Sequence, residues 1–419
     1  MDKGLGIRLS AALPSESRPG AILGDIRDSI NAFVTDPLDR MMLTINETDD
    51  SVIVHLHPAA EPVVFRATED ELTAEGDTAC AGPGYHAWLV DLLQDMGWRA
   101  GIFWDWTDAD DTQYQDNKDF AELRTKMADA LKSEATALLK TSKDQPDTPL
   151  ALMMPANAPL PAEGFSVSPM GHWSRGWLEA MTKAGHEQTM GAAAEFFPAW
   201  DNRDSAGYWI GCGMATAWLA LRWVSPAGEQ EETLYKAALG CFARAQDIDP
   251  DIALPEAEVK EIWTLINGGG EDGPPAPWGT GFRRDITIRR FGNGWRANIP
   301  GYFLRETPPG LDATVFSFGE CSIHLVTVPE TDPGSEESAA YLIEQKQKEP
   351  GEFTESFTFE NGGVYGWAES TPSSPYRNLS GILSGGDEAC FITIVHEDTE
   401  LQRDWAEKIL RSVARDEPA

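Results

Sequence analysis

Three histidines offer the first chemistry that residue type and spacing suggest. His55 and His57 stand two apart in Ser51–His57 (SVIVHLH), a run that alternates as a strand, and strand residues i and i+2 share a face. His86 opens a helical pattern further along. Three imidazoles with one position left to water make a catalytic zinc site, which would give a metal-dependent hydrolase. The plainer account is a strand end before Pro58 with solvated imidazoles, and a His86 that fixes a turn beside Tyr85. Asp105–Asp119 (DWTDADDTQYQDNKD) is the densest acidic stretch. Counted from Asp108, oxygen-bearing side chains fall at the EF-hand ligand positions 1, 3, 5, 9 and 12, as Asp108, Asp110, Thr112, Asp116 and Asp119. Position 6, where that loop needs glycine, is Gln113, and position 12 is the shorter Asp. The stretch therefore reads as a solvated acidic loop in which Asp116, Asn117 or Asp119 caps the next helix. Trp104, Trp106 and Tyr114 are interleaved with the acids, and aromatic anchors ringed by charge favour interfaces. Trp104, Asp105, Trp106, Asp108, Asp110 and Asp111 are thus the residues expected to meet a protein partner, a basic one.

Nucleophile patterns are missing. No Gly-x-Ser-x-Gly elbow, His-Glu-x-x-His pair or Gly-x-x-x-x-Gly-Lys loop occurs, and His186-Glu187 lacks a second histidine. Gly211-Cys212-Gly213 sits inside an apolar helical run, where glycines permit close helix packing; Gly268–Gly270 follows a helix, the wrong context for a dinucleotide fingerprint. Cys212 and Cys241 have no base nearby in sequence and read as core residues. No catalytic residue, metal or cofactor is assigned.

The elements that must carry these residues fall into three segments and two linkers. Segment 1–140 reads as α/β: strands over Arg40–Asn46, Ser51–His57, Pro62–Arg66 and Gly101–Trp106, helices over Tyr85–Met96 and Phe120–Leu139. In the last, Phe120, Leu123, Met127, Leu131 and Leu138 share a face. A Pro-rich linker or wrapping arm spans 141–169. Segment 170–266 is helical and rich in tryptophan, with Trp209, Trp218 and Trp223 expected as core, and Ser225–Gly228 breaks one helix before another starts near Glu231. A Gly/Pro linker spans 267–282. Segment 283–419 alternates: strands over Ile286–Phe291, Thr314–Phe318, Ser322–Val328, Phe353–Phe359, Val364–Ser370, Asn378–Leu383 and Cys390–His396, helices over Ser338–Gln347 and Leu401–Val413.

Composition narrows the partners. The 419 residues carry 68 acidic and 33 basic side chains, a net charge of −35, which argues against nucleic-acid backbones and anionic membrane surfaces. No run of uncharged apolar residues is long enough to span a bilayer, and the start lacks the apolar core of a secretory signal. Five scattered cysteines without a Cys-x-x-Cys pair fit a reducing compartment, so a cytoplasmic protein is expected.

Two resemblances follow from particular residues. Ala238, Phe242, Ala245 and Pro250 fall at A-x3-F-x2-A-x4-P, which resembles the second helix of a tetratricopeptide repeat. The preceding helix lacks the family's Trp-Leu-Gly-Tyr pattern, so a helical hairpin is expected. The third segment, with its GWRANIPGYFLRE opening and ITIVHEDTELQRDWAEKILRSV close, resembles the Mog1/PsbP-like fold. That resemblance implies an antiparallel sheet flanked by helices, a fold shared by small bacterial chaperone-like proteins of secreted effectors. Trp295 and Trp367 would then face the sheet's core or a groove able to take an apolar helix of a partner. The expected whole is an α+β multidomain protein and a non-catalytic protein-binding factor: an immunity protein or effector chaperone for a secreted toxin. The rival readings are the three-His hydrolase and a structural scaffold holding two partners.

Overall fold

The computed structural model describes residues 5–13, 18–144, 150–156, 158–162, 166–270, 273–308, 313–330, 338–348 and 355–416. The chain is a mixed α+β protein with several antiparallel sheets. It divides into two compact units, Met1–Ala158 with Glu163–Arg283, and Pro159–Ala162 with Arg284–Ala419. Among the described residues no helix is long and apolar enough to cross a membrane.

The first unit begins with β1 (Gly6–Ala12), which buries Ile7, Leu9 and Ala11. Helix α1 (Pro19–Phe33) has proline in its first turn, where the missing N–H breaks no helical bond, and buries Leu23, Ile26 and Ile30 on one face. Neither element is among those expected. Helix α2 (Pro37–Met42) follows Asp36, whose carboxylate accepts the Leu38 N–H at 2.9 Å. The strand expected over Arg40–Asn46 is therefore half helix. An Asp cap before Pro starts a helical turn, and only β2 (Thr44–Glu47) is extended. With β3 (Ser51–His55), β4 (Val63–Ala67) and β5 (Glu71–Asp77) the sheet runs β1-β5-β4-β3-β2, antiparallel throughout. β3 stops at His55, so His57 lies in the turn beyond and does not share a strand face with it.

Helix α3 (Pro83–Ala100) buries Leu89, Val90, Leu93 and Met96. It ends at Gly101 in the left-handed conformation (φ 67°), where glycine carries no Cβ penalty. The chain then doubles back: Ile102 N–H donates to Gly97 O at 2.8 Å and Trp104 Nε1 to Leu93 O at 3.1 Å. The strand expected over Gly101–Trp106 is thus a loop. Held to its own helix, it meets β1 at one isolated bridge, Ser10 with Asp105, and the chain just beyond makes a second, Ile7 with Asp110. After the short α4 (Tyr114–Asn117), α5 (Phe120–Asp144) buries Leu123, Met127 and Leu131, with Phe120 and Leu138 partly buried against the same core.

The Pro-rich stretch holds β6 (Leu150–Ala151), β7 (Leu160–Pro161) and β8 (Ser166–Ser168); β6 and β8 form a small sheet with β9 (Gly171–Trp173). Five helices follow: α6 (Arg175–Lys183), α7 (His186–Phe196), α8 (Ala206–Leu219), α9 (Glu229–Ile248) and α10 (Glu256–Ile266). α5 packs on α6 and α7, which places segments 1–140 and 170–266 in one unit. α8 packs closely because its glycines leave room. A Cβ on Gly211 would sit 1.7 Å from the Pro198 carbonyl, and one on Gly213 2.5 Å from the Phe242 ring of α9. Ala238, Phe242 and Ala245 are buried on α9. Trp209 and Trp223 are buried and Trp218 partly so, but Trp223 lies beyond α8 at φ 60°, its Nε1 donating to Ala217 O at 3.1 Å.

In the second unit β7 pairs with β10 (Ile286–Phe291), which pairs with β11 (Trp295–Pro300). A seven-stranded antiparallel sheet comprises β12 (Leu304–Glu306), β13 (Ala313–Phe318), β14 (Cys321–Pro329), β15 (Glu355–Asn361), β16 (Val364–Ser373), β17 (Tyr376–Ser384) and β18 (Glu388–Glu397), ordered β12-β13-β14-β18-β17-β16-β15. Helix α11 (Ala339–Lys348) lies on β16 and β17, and α12 (Glu400–Ser412) on β11, β15, β17 and β18; β19 (Ala414–Arg415) joins β11. All seven expected strands and both helices are found here within a few residues; Phe353 and Thr354 lie outside the described residues. β11, β12 and β19 are additional. The core is Phe291, Trp295, Phe316, Ile323, Ile392 and their neighbours, with Ile409 and Leu410 of α12.

Candidate functional site

The acidic loop is built on a buried histidine. His86, in the first turn of α3, has no solvent exposure. Its Nδ1 lies 2.7 Å from Thr78 Oγ1, and its Nε2 lies 3.0 Å from Thr112 Oγ1 and 3.2 Å from Asp110 Oδ1. The Thr112 hydroxyl donates to Asp110 Oδ1 at 2.7 Å, so Nε2 carries a proton and donates toward both oxygens. Asp110 also accepts the N–H groups of Thr112 and Gln115, each at 2.8 Å. Burial pushes the Asp110 carboxyl up, but the His86 hydrogen bond and charge and these other donors prevail and hold it well below the usual carboxylate range. The loop is fixed along β1 as well: Arg8 N–H donates to Ala109 O at 2.8 Å and Asp105 N–H to Ser10 O at 2.7 Å.

Its outer side is carboxylate. Asp105, Asp108 and Asp111 are exposed, and Trp104 and Trp106 are half-buried. Asp105 accepts the Thr107 N–H at 2.9 Å, which lowers its pKa. Asp108 has φ 54°, a left-handed conformation costly for a residue with a Cβ. Asp111 pairs with Arg8 at 3.3 Å. Asp110, expected on the partner face, is instead buried, because its oxygens satisfy His86, Thr112 and Gln115. Nor do the EF-hand positions converge: Asp119 Oδ1 caps α5, accepting from Ala121 and Glu122 at 3.0 Å, as one of the capping alternatives expected. Gln113 itself makes the left-handed turn, at φ 60°.

The three histidines do not meet. His57 Nδ1 accepts the Ala59 N–H at 3.1 Å, which places the ring proton on Nε2, 3.1 Å from Cys212 Sγ. Burial, and then the Arg203 charge, push His57 down to about 3, while burial pushes the Cys212 thiol well above its ordinary value. A thiolate nucleophile needs the opposite shifts and a free nitrogen to take the thiol proton. Cys212 therefore does have a histidine beside it, contrary to the sequence expectation, and the pair is a neutral core contact. His55 is half-buried on β3 and His86 is committed to Thr78, Thr112 and Asp110. Among the described residues no three His, Cys, Asp or Glu side chains gather where they could hold a metal ion. The expected three-His site does not assemble, since the ring nitrogens of His57 and His86 are engaged elsewhere.

Arg203 pairs with Asp39 of α2 and lies 4.9 and 5.0 Å from the Trp88 and Trp209 ring centroids. Thr78, Thr112, Asp39 and Arg203 carry no sequence pattern that marks them; their contacts span up to 164 residues. In the second unit Trp295 is buried on β11, its Nε1 donating to Glu388 Oε2 at 3.0 Å. Trp367 is buried on β16 with the Lys346 ammonium 5.3 Å from its ring centroid. The two rings belong to different sheets, and both are closed from solvent by their own unit. No protein-family model matches the chain, and no curated protein matches it either.

Proposed function

We propose that the chain is a non-catalytic, cytoplasmic protein-binding factor that receives a basic protein on the outer face of the 105–119 loop. One observation carries this reading: exposed Asp105 and Asp108 stand beside half-buried Trp106 on a loop fixed from beneath by His86 and Asp110. A loop already ordered has less conformational entropy to lose when a partner docks. The net charge of −35 steers a basic protein toward it and repels nucleic acid and anionic membranes. The Mog1/PsbP-like resemblance of 283–419 makes the specific reading an immunity protein or effector chaperone for a secreted toxin. Exposed Trp263 and Trp278, at 60% and 75%, favour a second reading as a scaffold with a further partner.

The test captures partners from host lysate on two baits, the native chain and the double variant Asp105→Asn/Asp108→Asn. A basic protein held at equal stoichiometry, released by salt and lost from the variant, supports the proposal. Equal recovery on both baits sinks it, and two different proteins held at once favour the scaffold.

A further inference from the structure

Beside the end of β5 the first unit holds a cavity of about 370 Å³, within the size range of small-molecule sites. Glu61 from the β3–β4 turn, Asp77 from the end of β5 and Glu134 from α5 line it; among the described residues no lysine, arginine or histidine does. One oxygen of Asp77 accepts the Ala79 N–H at 2.8 Å, and one of Glu61 accepts the Ala156 N–H. The second oxygen of each has no hydrogen-bond partner among the described residues. The Cys80 thiol, only 6% exposed, lines the same space, also without a hydrogen-bond partner among them. Much of the remaining wall is apolar: Leu5, Ala130, Met153 and Met154. A bare ion does not suit this lining, because no three of its acids and thiol gather at metal-binding distance and the space far exceeds one ion. A single positive charge with several N–H donors on an aliphatic stem does suit it.

We infer that this cavity binds a primary alkylammonium group, with the –NH₃⁺ toward the second oxygens of Asp77 and Glu61 and the methylenes against Cys80, Met153 and Met154. An ammonium can donate to both carboxylates and keep its third N–H for water, and its stem gains by leaving water for thiol, thioether and alkyl surface. Burial, together with the nearby Glu61 and Asp111 charges, raises the Asp77 carboxyl despite the Ala79 N–H and Arg8, and a bound cation would oppose that shift. The inference stands apart from the acidic loop, since none of the lining residues belongs to it.

The test titrates n-pentylammonium into the full chain and follows the methyl signals of Met153 and Met154 by NMR, assigned with Met153→Leu and Met154→Leu. Both signals should move saturably, and 1-pentanol or sodium chloride at equal ionic strength should not move them. Asp77→Asn, which keeps an oxygen for the Ala79 N–H, should weaken binding about tenfold or more, as loss of a charge-assisted hydrogen bond does. Glu134→Gln at the exposed rim should weaken it less, and an unchanged thermal midpoint shows that each variant is folded. Nα-acetyl-lysine-N-methylamide distinguishes the source: if it binds as well, the cavity takes a protein's lysine side chain, and if only pentylammonium binds, a free amine. Methyl signals that stay still throughout, or follow pentanol or salt equally, overturn the inference.

Discussion

At the scale of single residues, buried imidazoles set how the fold responds to acid. His57 titrates near 6.5 when unfolded and is pushed down to about 3 in the fold. The unfolded chain then binds a proton that the folded chain excludes. Stability is therefore full above pH 6.5 and falls on acidification toward pH 3, by at most about 1.4 kcal/mol per pH unit from this group. Denaturant unfolding from pH 7.5 down to pH 4 should show that slope, and His57→Gln should remove one proton from it. Asp110 acts at lower pH: its depressed carboxyl contributes stability above 3.8 that is lost as pH falls through its still lower folded value. His86→Ala takes one hydrogen-bond donor from buried Asp110, leaving those of Thr112 and Gln115, and should cost about 1–3 kcal/mol. Amide exchange in 105–119 should rise with it, and a loop as protected as in the native chain would show that His86 does not hold it.

At the scale of elements, the glycines of α8 are there for packing. Alanine is intrinsically better than glycine within a helix by about 1 kcal/mol. At Gly211 and Gly213 the added methyl meets the Pro198 carbonyl and the Phe242 ring, so Gly211→Ala and Gly213→Ala should each destabilise by roughly 1–3 kcal/mol. Gly191→Ala on α7, where nothing lies within 4 Å, is the control and should be neutral or stabilising. Equal effects at all three positions, read by thermal unfolding, would show that the α8 contacts are not tight.

At the scale of the whole molecule, net charge governs both stability and encounter. A chain at −35 repels itself, so moderate salt should raise its thermal midpoint over that in low salt. Asp105→Asn/Asp108→Asn removes only two of those charges. If the long-range field alone steers the partner, association barely changes. If the loop is the docking face, association slows several-fold at low salt and the difference vanishes at high salt, measured by stopped flow with the captured partner.

The sequence alone determined the elements whose signals are local. The period-two strands of 283–419, the apolar stripe of α5 and the Tyr85–Met96 body of α3 were legible because neighbouring residues set them. β1 and α1 carried weaker signals, Asp36-Pro37 overrode the strand tendency of Arg40–Asn46, and Gly101 turned the next run back on its helix. Of the candidate site, the sequence marked the loop and its acids but not which side each would face. Tertiary structure decided that Asp110 turns inward to His86 while Asp105 and Asp108 face water, that His57 meets Cys212, and that Trp295 and Trp367 are closed from solvent. Those outcomes depend on contacts between residues as much as 155 positions apart, and a side chain's partner at that range is fixed by packing and by the cost of leaving a buried polar group unsatisfied.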